Sequence, residues 1–125
     1  MNSLLELILK IEKRPELWIG SNKTNDLWLF LSGYSLAKEK ESVCWLKDDF
    51  MLYLIVKYNG SWSMNWSALI EEHESDGDST DAFFRLLHEY LKENPIPESY
   101  DELQLRISEK NKILVDNVMD TIKKK

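Results

Sequence analysis

The sequence is poor in the residues from which most enzymes and metalloproteins build their sites. Among 125 residues there is one cysteine, Cys44, and there are two histidines, His73 and His88. A lone cysteine permits no intrachain disulfide, which suits a reducing compartment. Neither histidine belongs to an H-x-x-x-H pair or a Cys–His cluster, so the spacing offers no zinc site. The four glycines, at positions 20, 33, 60 and 77, are too scattered for a loop that cradles phosphate. No run approaches the roughly 18 uncharged apolar residues of a membrane span. Glu6 and Glu12 interrupt the apolar N-terminal stretch, and no basic leader precedes it, so it does not read as a signal peptide. Cytoplasmic placement, no membrane contact and no cofactor are the resulting expectations.

What is present is enough for a core. Hydrophobic residues make up 43% and aromatics 11%, which excludes a wholly disordered chain. The length is that of one domain, spanning residues 1–125. Ser3-Leu4-Leu5-Glu6 has the form of a capping box, with Leu5, Ile8 and Leu9 at helical spacing behind it; this predicts a helix over 4–13, ended by Pro15. Leu27, Phe30, Leu31 and Tyr34 form a second helical stripe. Trp66, Leu69 and Ile70, with Trp62 before them, form a third, and Phe83, Phe84, Leu87, Tyr90 and Leu91 a fourth, capped by Ser79. Leu103, Ile107, Leu114, Val118 and Ile122 run along a last long helix that opens on Ser99-Tyr100-Asp101-Glu102.

The apolar run Met51–Val56 fits a buried helix or a buried strand. Phe50, Leu54, Ile55 and Tyr58 favour one helical face, with Asp48 and Asp49 opening it. Asn59-Gly60 is a turn signal that also suits a hairpin. The leading fold is therefore all-α, a single compact domain of about five to six helices with a long C-terminal helix. The alternative is α+β, with a small antiparallel sheet near residues 43–70.

The charge is uneven. Residues 71–102 hold eleven acids against two bases, Arg85 and Lys92, whereas the remainder of the chain is net positive. Such an acidic field repels nucleic acid and attracts basic partners. Within it, Glu71, Glu72, Glu74, Asp76, Asp78 and Asp81 crowd around Gly77. These six are the candidate partner-binding residues, against the plainer reading of a solvated face. Neutralising Glu74, Asp76 and Asp78 together is expected to weaken partner binding without loss of stability. A calcium loop beginning at Asp76 fails, because Thr80, Asp81 and Leu87 stand where a ligand, the glycine and the closing glutamate belong. Catalysis by Cys44 or His88 is a minor alternative; Cys44 lies between Val43 and Trp45, a setting for an inert buried thiol. Trp28, Trp62 and Trp66 fall in helical stripes and read as core or groove residues, and no basic patch interleaves with them for nucleic acid.

Arg14-Pro15-Glu16-Leu17-Trp18-Ile19-Gly20, then Phe30-Leu31-Ser32-Gly33-Tyr34, then Ser61-Trp62, then an acidic stretch leading into Phe83-Phe84-Arg85-Leu86-Leu87, occur in an order that resembles a group of small bacterial immunity proteins. That group belongs to polymorphic-toxin and contact-dependent growth inhibition loci. The resemblance covers residues 4–92. It implies a non-catalytic protein that binds a cognate toxin domain, possible nucleases among them, one to one, and it assigns no contact residues. The Pro15–Gly20 bracket is read as a tight connection that tucks Leu17, Trp18 and Ile19 against the first helices. The same string is also similar to an RPGMYIG-like one in the ATPase subunit of bacterial type II topoisomerases, but Glu16 replaces its glycine and no D-x-G-x-G motif follows, so that match is local coincidence. The alternative function is a non-catalytic adaptor or regulatory protein whose apolar helix groove receives a partner peptide. The oligomeric state is left open.

Overall fold

The computed structural model describes residues 3–37, 45–60 and 63–123. It is all-α. Among the described residues seven α-helices follow in order: α1 Ser3–Lys13, α2 Pro15–Ile19, α3 Thr24–Ala37, α4 Met51–Tyr58, α5 Trp66–His73, α6 Thr80–Glu93 and α7 Tyr100–Lys123. A π-helical turn, Leu46–Phe50, runs directly into α4. The sheet considered for residues 43–70 does not form among the described residues there, which hold helices and short connections but no strand. The sole extended pairing among the described residues is an isolated bridge, Lys23 to Ser79. Cys44, Ser61 and Trp62 lie outside the described residues.

Local chemistry explains most boundaries. Pro15 occupies the first turn of α2, where its missing N–H costs nothing. Gly20 closes that helix at φ 74°, a left-handed conformation that favours glycine, and its N–H donates to the Glu16 carbonyl. Asn59 closes α4 in the same way at φ 53°. Asn65 caps α5 by accepting from Ala68 N–H at 2.8 Å, and Ser79 caps α6 through Asp81 N–H. At α7, Ser99 Oγ accepts from Glu102 N–H while Glu102 reaches back to Glu98 N–H, a capping box shifted by one residue.

The core lies where α4 and the π turn meet α5, α6 and α7. Phe50 is fully buried among Tyr53, Trp66, Phe83 and Tyr90, with ring centroids 5.4–6.5 Å apart. Trp45 stacks on Tyr90 at 6.1 Å. Leu4, Ile8 and Ile11 of α1 and Leu27 and Leu31 of α3 complete it. Two expectations are corrected here. Leu17 is 70% exposed and Trp18 40%, so of the three residues after Pro15 only Ile19 packs on the core. On α7, Leu103 is buried and Ile107 and Leu114 pack partly, but Val118 and Ile122 are exposed. α7 is about 36 Å long at 1.5 Å per residue, and its apolar stripe is left without core partners beyond Leu114.

Candidate functional site

The six acidic candidates fall at the end of α5, in the loop that follows it, and at the start of α6. That loop is built rigidly. Gly77 is buried, and a Cβ there would lie 2.4 Å from the Ile70 carbonyl oxygen and 2.5 Å from Glu71 Cα. Only glycine allows this backbone-on-backbone approach. Facing it, Thr24 Oγ1 lies 2.8 Å from both the Gly77 and Ser79 carbonyl oxygens, and Thr80 N–H donates to the Asn22 carbonyl. The Thr80 hydroxyl also donates to Asn22 Oδ1. The acidic loop is thus stitched to the turn before α3.

Within this frame the six acids separate into two groups. Glu74 accepts from the Tyr58 hydroxyl and from Arg85, and Asp76 lies 3.5 Å from the same guanidinium. The Tyr58 hydrogen bond, with Arg85, holds the Glu74 carboxyl below the usual carboxylate range, while burial and Glu74 push the Tyr58 phenol well up. Glu74 therefore braces α4 against α5 and α6, and its neutralisation is expected to cost stability, contrary to the reading from sequence. Glu71, Glu72, Asp78 and Asp81 are exposed. Asp78 and Asp81 sit at the N-terminus of α6, where the helix dipole favours an anion. Glu71 and Glu72 sit in the last turn of α5, the end at which acids are disfavoured. Beside them His73 stacks on Tyr58 at 4.5 Å and lies 3.6 Å from Glu72.

His88 is not at an enclosed centre. It is exposed on α6 and meets Glu12 of α1 at 2.9 Å, an ion pair when the imidazole is protonated. Among the described residues no group of three or more His, Cys, Asp or Glu side chains is placed to hold a metal.

Two further features stand out, of which the first escaped the sequence reading and the second was only outlined by it. The first is a buried polar network. Asp49, in the π turn, is fully buried; its Oδ1 accepts from Lys110 Nζ of α7 at 2.7 Å and its Oδ2 from the Tyr90 hydroxyl at 2.6 Å. Lys110 also donates to Asn94 Oδ1 at 2.8 Å. Burial, and secondarily the Asp49 contact, push the Tyr90 phenol far above its ordinary value. The network pins α7 to the body. In sequence Asp49 looked like an ordinary acid at a helix start, and its partners lie 41 and 61 positions away.

The second feature is a groove of about 460 Å³ between α3, the π turn and the start of α5. Trp28, Leu31, Leu46, Met51, Met64 and Trp66 form apolar walls, and Asp48 lies on its lining. Trp28 and Trp66 were the sequence signal for it. The groove and the Glu71/Glu72 pair mark opposite ends of α5, about 9 Å apart along the axis at 1.5 Å per residue.

Comparison with known proteins adds no relative: no family model, curated protein or solved structure matches the chain.

Proposed function

We propose that the protein is an immunity-type inhibitor that binds a basic toxin domain one to one through the acidic face formed by Glu71, Glu72, Asp78 and Asp81. The observation that carries this reading is the pair Glu71 and Glu72. They are exposed, held next to other acids, and set at the helix end whose dipole opposes them. A basic surface relieves that repulsion on contact, and the opposed fields accelerate encounter. The rigid Gly77 turn favours the same role, since a pre-ordered face loses little freedom on binding. On this reading no bond is made or broken by the inhibitor. Protection comes from covering the toxin's active site or its substrate-binding surface. Glu74 and Asp76 act as braces that fix the face, and the contacts themselves fall to the four exposed acids.

The test is protection in cells expressing the toxin domain encoded immediately upstream. Wild type is expected to protect, and the variant carrying Glu71→Gln, Glu72→Gln, Asp78→Asn and Asp81→Asn to protect poorly while remaining folded. Full protection by that variant would remove the acidic face from the account. A second reading, a non-catalytic adaptor, is favoured by the groove, whose size falls in the range of ligand pockets. An adaptor need not be encoded beside a toxin, so gene position separates the two.

A further inference from the structure

The groove carries a chemical signature of its own. Its walls are apolar and include two indoles, Trp28 and Trp66, and two thioethers, Met51 and Met64. Asp48 stands on this lining, half-buried, with no hydrogen bond or ion pair among the described residues. Its neighbour Asp49 in the same turn is satisfied by two donors, so the two adjacent carboxylates have opposite fates. Lys47, also on the lining, is exposed and comes no closer than a through-space charge interaction. A carboxylate set among apolar walls without a partner is costly unless a cation joins it.

We propose that this groove receives an arginine side chain from a protein partner, its guanidinium meeting Asp48 and its stem lying between Trp28 and Trp66. Charge complementarity selects a cation. The apolar walls select one carried on a hydrocarbon stem. Guanidinium is more weakly hydrated than ammonium, stacks on aromatic faces, and can engage a carboxylate with two parallel N–H donors. Ser32 and Ser35 on the same lining add hydroxyl acceptors for its remaining donors. Burial, helped by the neighbouring Asp49 and opposed by Lys47, pushes the Asp48 carboxyl above its ordinary value. The inference deepens the groove reading by naming the residue type received. A basic toxin docking on the acidic face could place an arginine here, since both features lie on α5.

The test uses the whole protein and a defined probe, with no toxin present, so its failure leaves the acidic-face account to be judged by its own assay. The tripeptide N-acetyl-Leu-Arg-Leu-amide is titrated against 15N-labelled protein, and the indole N–H signals of Trp28 and Trp66 are followed. Parallel titrations replace the central residue by lysine or norleucine. The arginine peptide is expected to shift both indoles saturably and to bind at least fivefold tighter than either analogue. Asp48→Asn, whose fold is checked by circular dichroism, is expected to weaken it about tenfold, the scale of a lost charge-assisted hydrogen bond. Lys47→Ala is expected to keep or modestly tighten binding. The inference is overturned if neither indole shifts, if lysine or norleucine binds as well as arginine, if Asp48→Asn changes nothing, or if Lys47→Ala abolishes binding.

Discussion

Replacing Asp49 by alanine probes the buried network that pins α7. The substitution leaves Lys110 Nζ, on a side chain only 13% exposed, with Asn94 as its remaining partner, and strips the Tyr90 hydroxyl of its acceptor. Breaking a buried ion pair from one side typically costs about 3–5 kcal/mol, because the other charge is stranded. Total stabilities of single domains are about 5–15 kcal/mol, so the loss is a large share of the whole. With an unfolding entropy of about 2.1 cal/mol/K per residue, the same loss lowers Tm by about 10–20 °C. Urea unfolding followed by tryptophan emission reads it directly, since buried Trp45 stacks on Tyr90 beside the network. A second variant isolates the cause. Asp49→Ala with Lys110→Met removes both charges and is expected to be more stable than Asp49→Ala alone, whose penalty is chiefly the stranded ammonium. A loss under about 1 kcal/mol for the single variant, or a double variant no better than it, would refute the clamp.

Other expectations follow from the same contacts. Gly77→Ala forces backbone apart at Ile70 and Glu71, so it should lower Tm sharply and blunt any toxin binding; an unchanged melting curve would contradict the close approach. The Glu74 carboxyl has a lowered folded pKa, so it contributes stability above its unfolded value near 4.5 that disappears as pH falls through the folded value. Glu74→Gln should therefore destabilise at neutral pH and remove part of the acid-side decline, measured by thermal melts from pH 7 to pH 2.5. The Asp48 carboxyl is raised, so its folded ionised form is disfavoured and stability falls as pH rises through its titration. Asp48→Asn should accordingly raise Tm at neutral pH and lose that advantage in acid, whereas a lower neutral Tm would show that the carboxylate is already satisfied.

Much of the architecture was legible because helical periodicity reports a buried stripe directly. The stripes on α3 and α6, the Ser79 cap and the helical state of residues 51–58 all reduce to local spacing and capping chemistry. Periodicity does not report whether a stripe finds a partner, which is why Val118 and Ile122 looked like core and are exposed. Leu17 and Trp18 were misplaced for a related reason: proline and glycine bracket a turn without saying which way it faces. At the acidic segment the sequence showed the cluster but could not divide it, since Glu74 owes its role to Tyr58 and Arg85, brought together by the fold. The contrast between Asp48 and Asp49 was equally hidden. Adjacent identical residues differ only through elements distant in the chain.

Calorimetric titration at low and high salt shows whether the acidic face captures a basic toxin domain, as proposed. Wild type and the variant neutralised at Glu71, Glu72, Asp78 and Asp81 are each titrated with the proposed cognate toxin domain. One-to-one binding by wild type that weakens steeply with salt is expected, with lower affinity and a flatter salt dependence for the variant. No binding by wild type, or equal affinity and equal salt slope for the two proteins, would contradict the proposal.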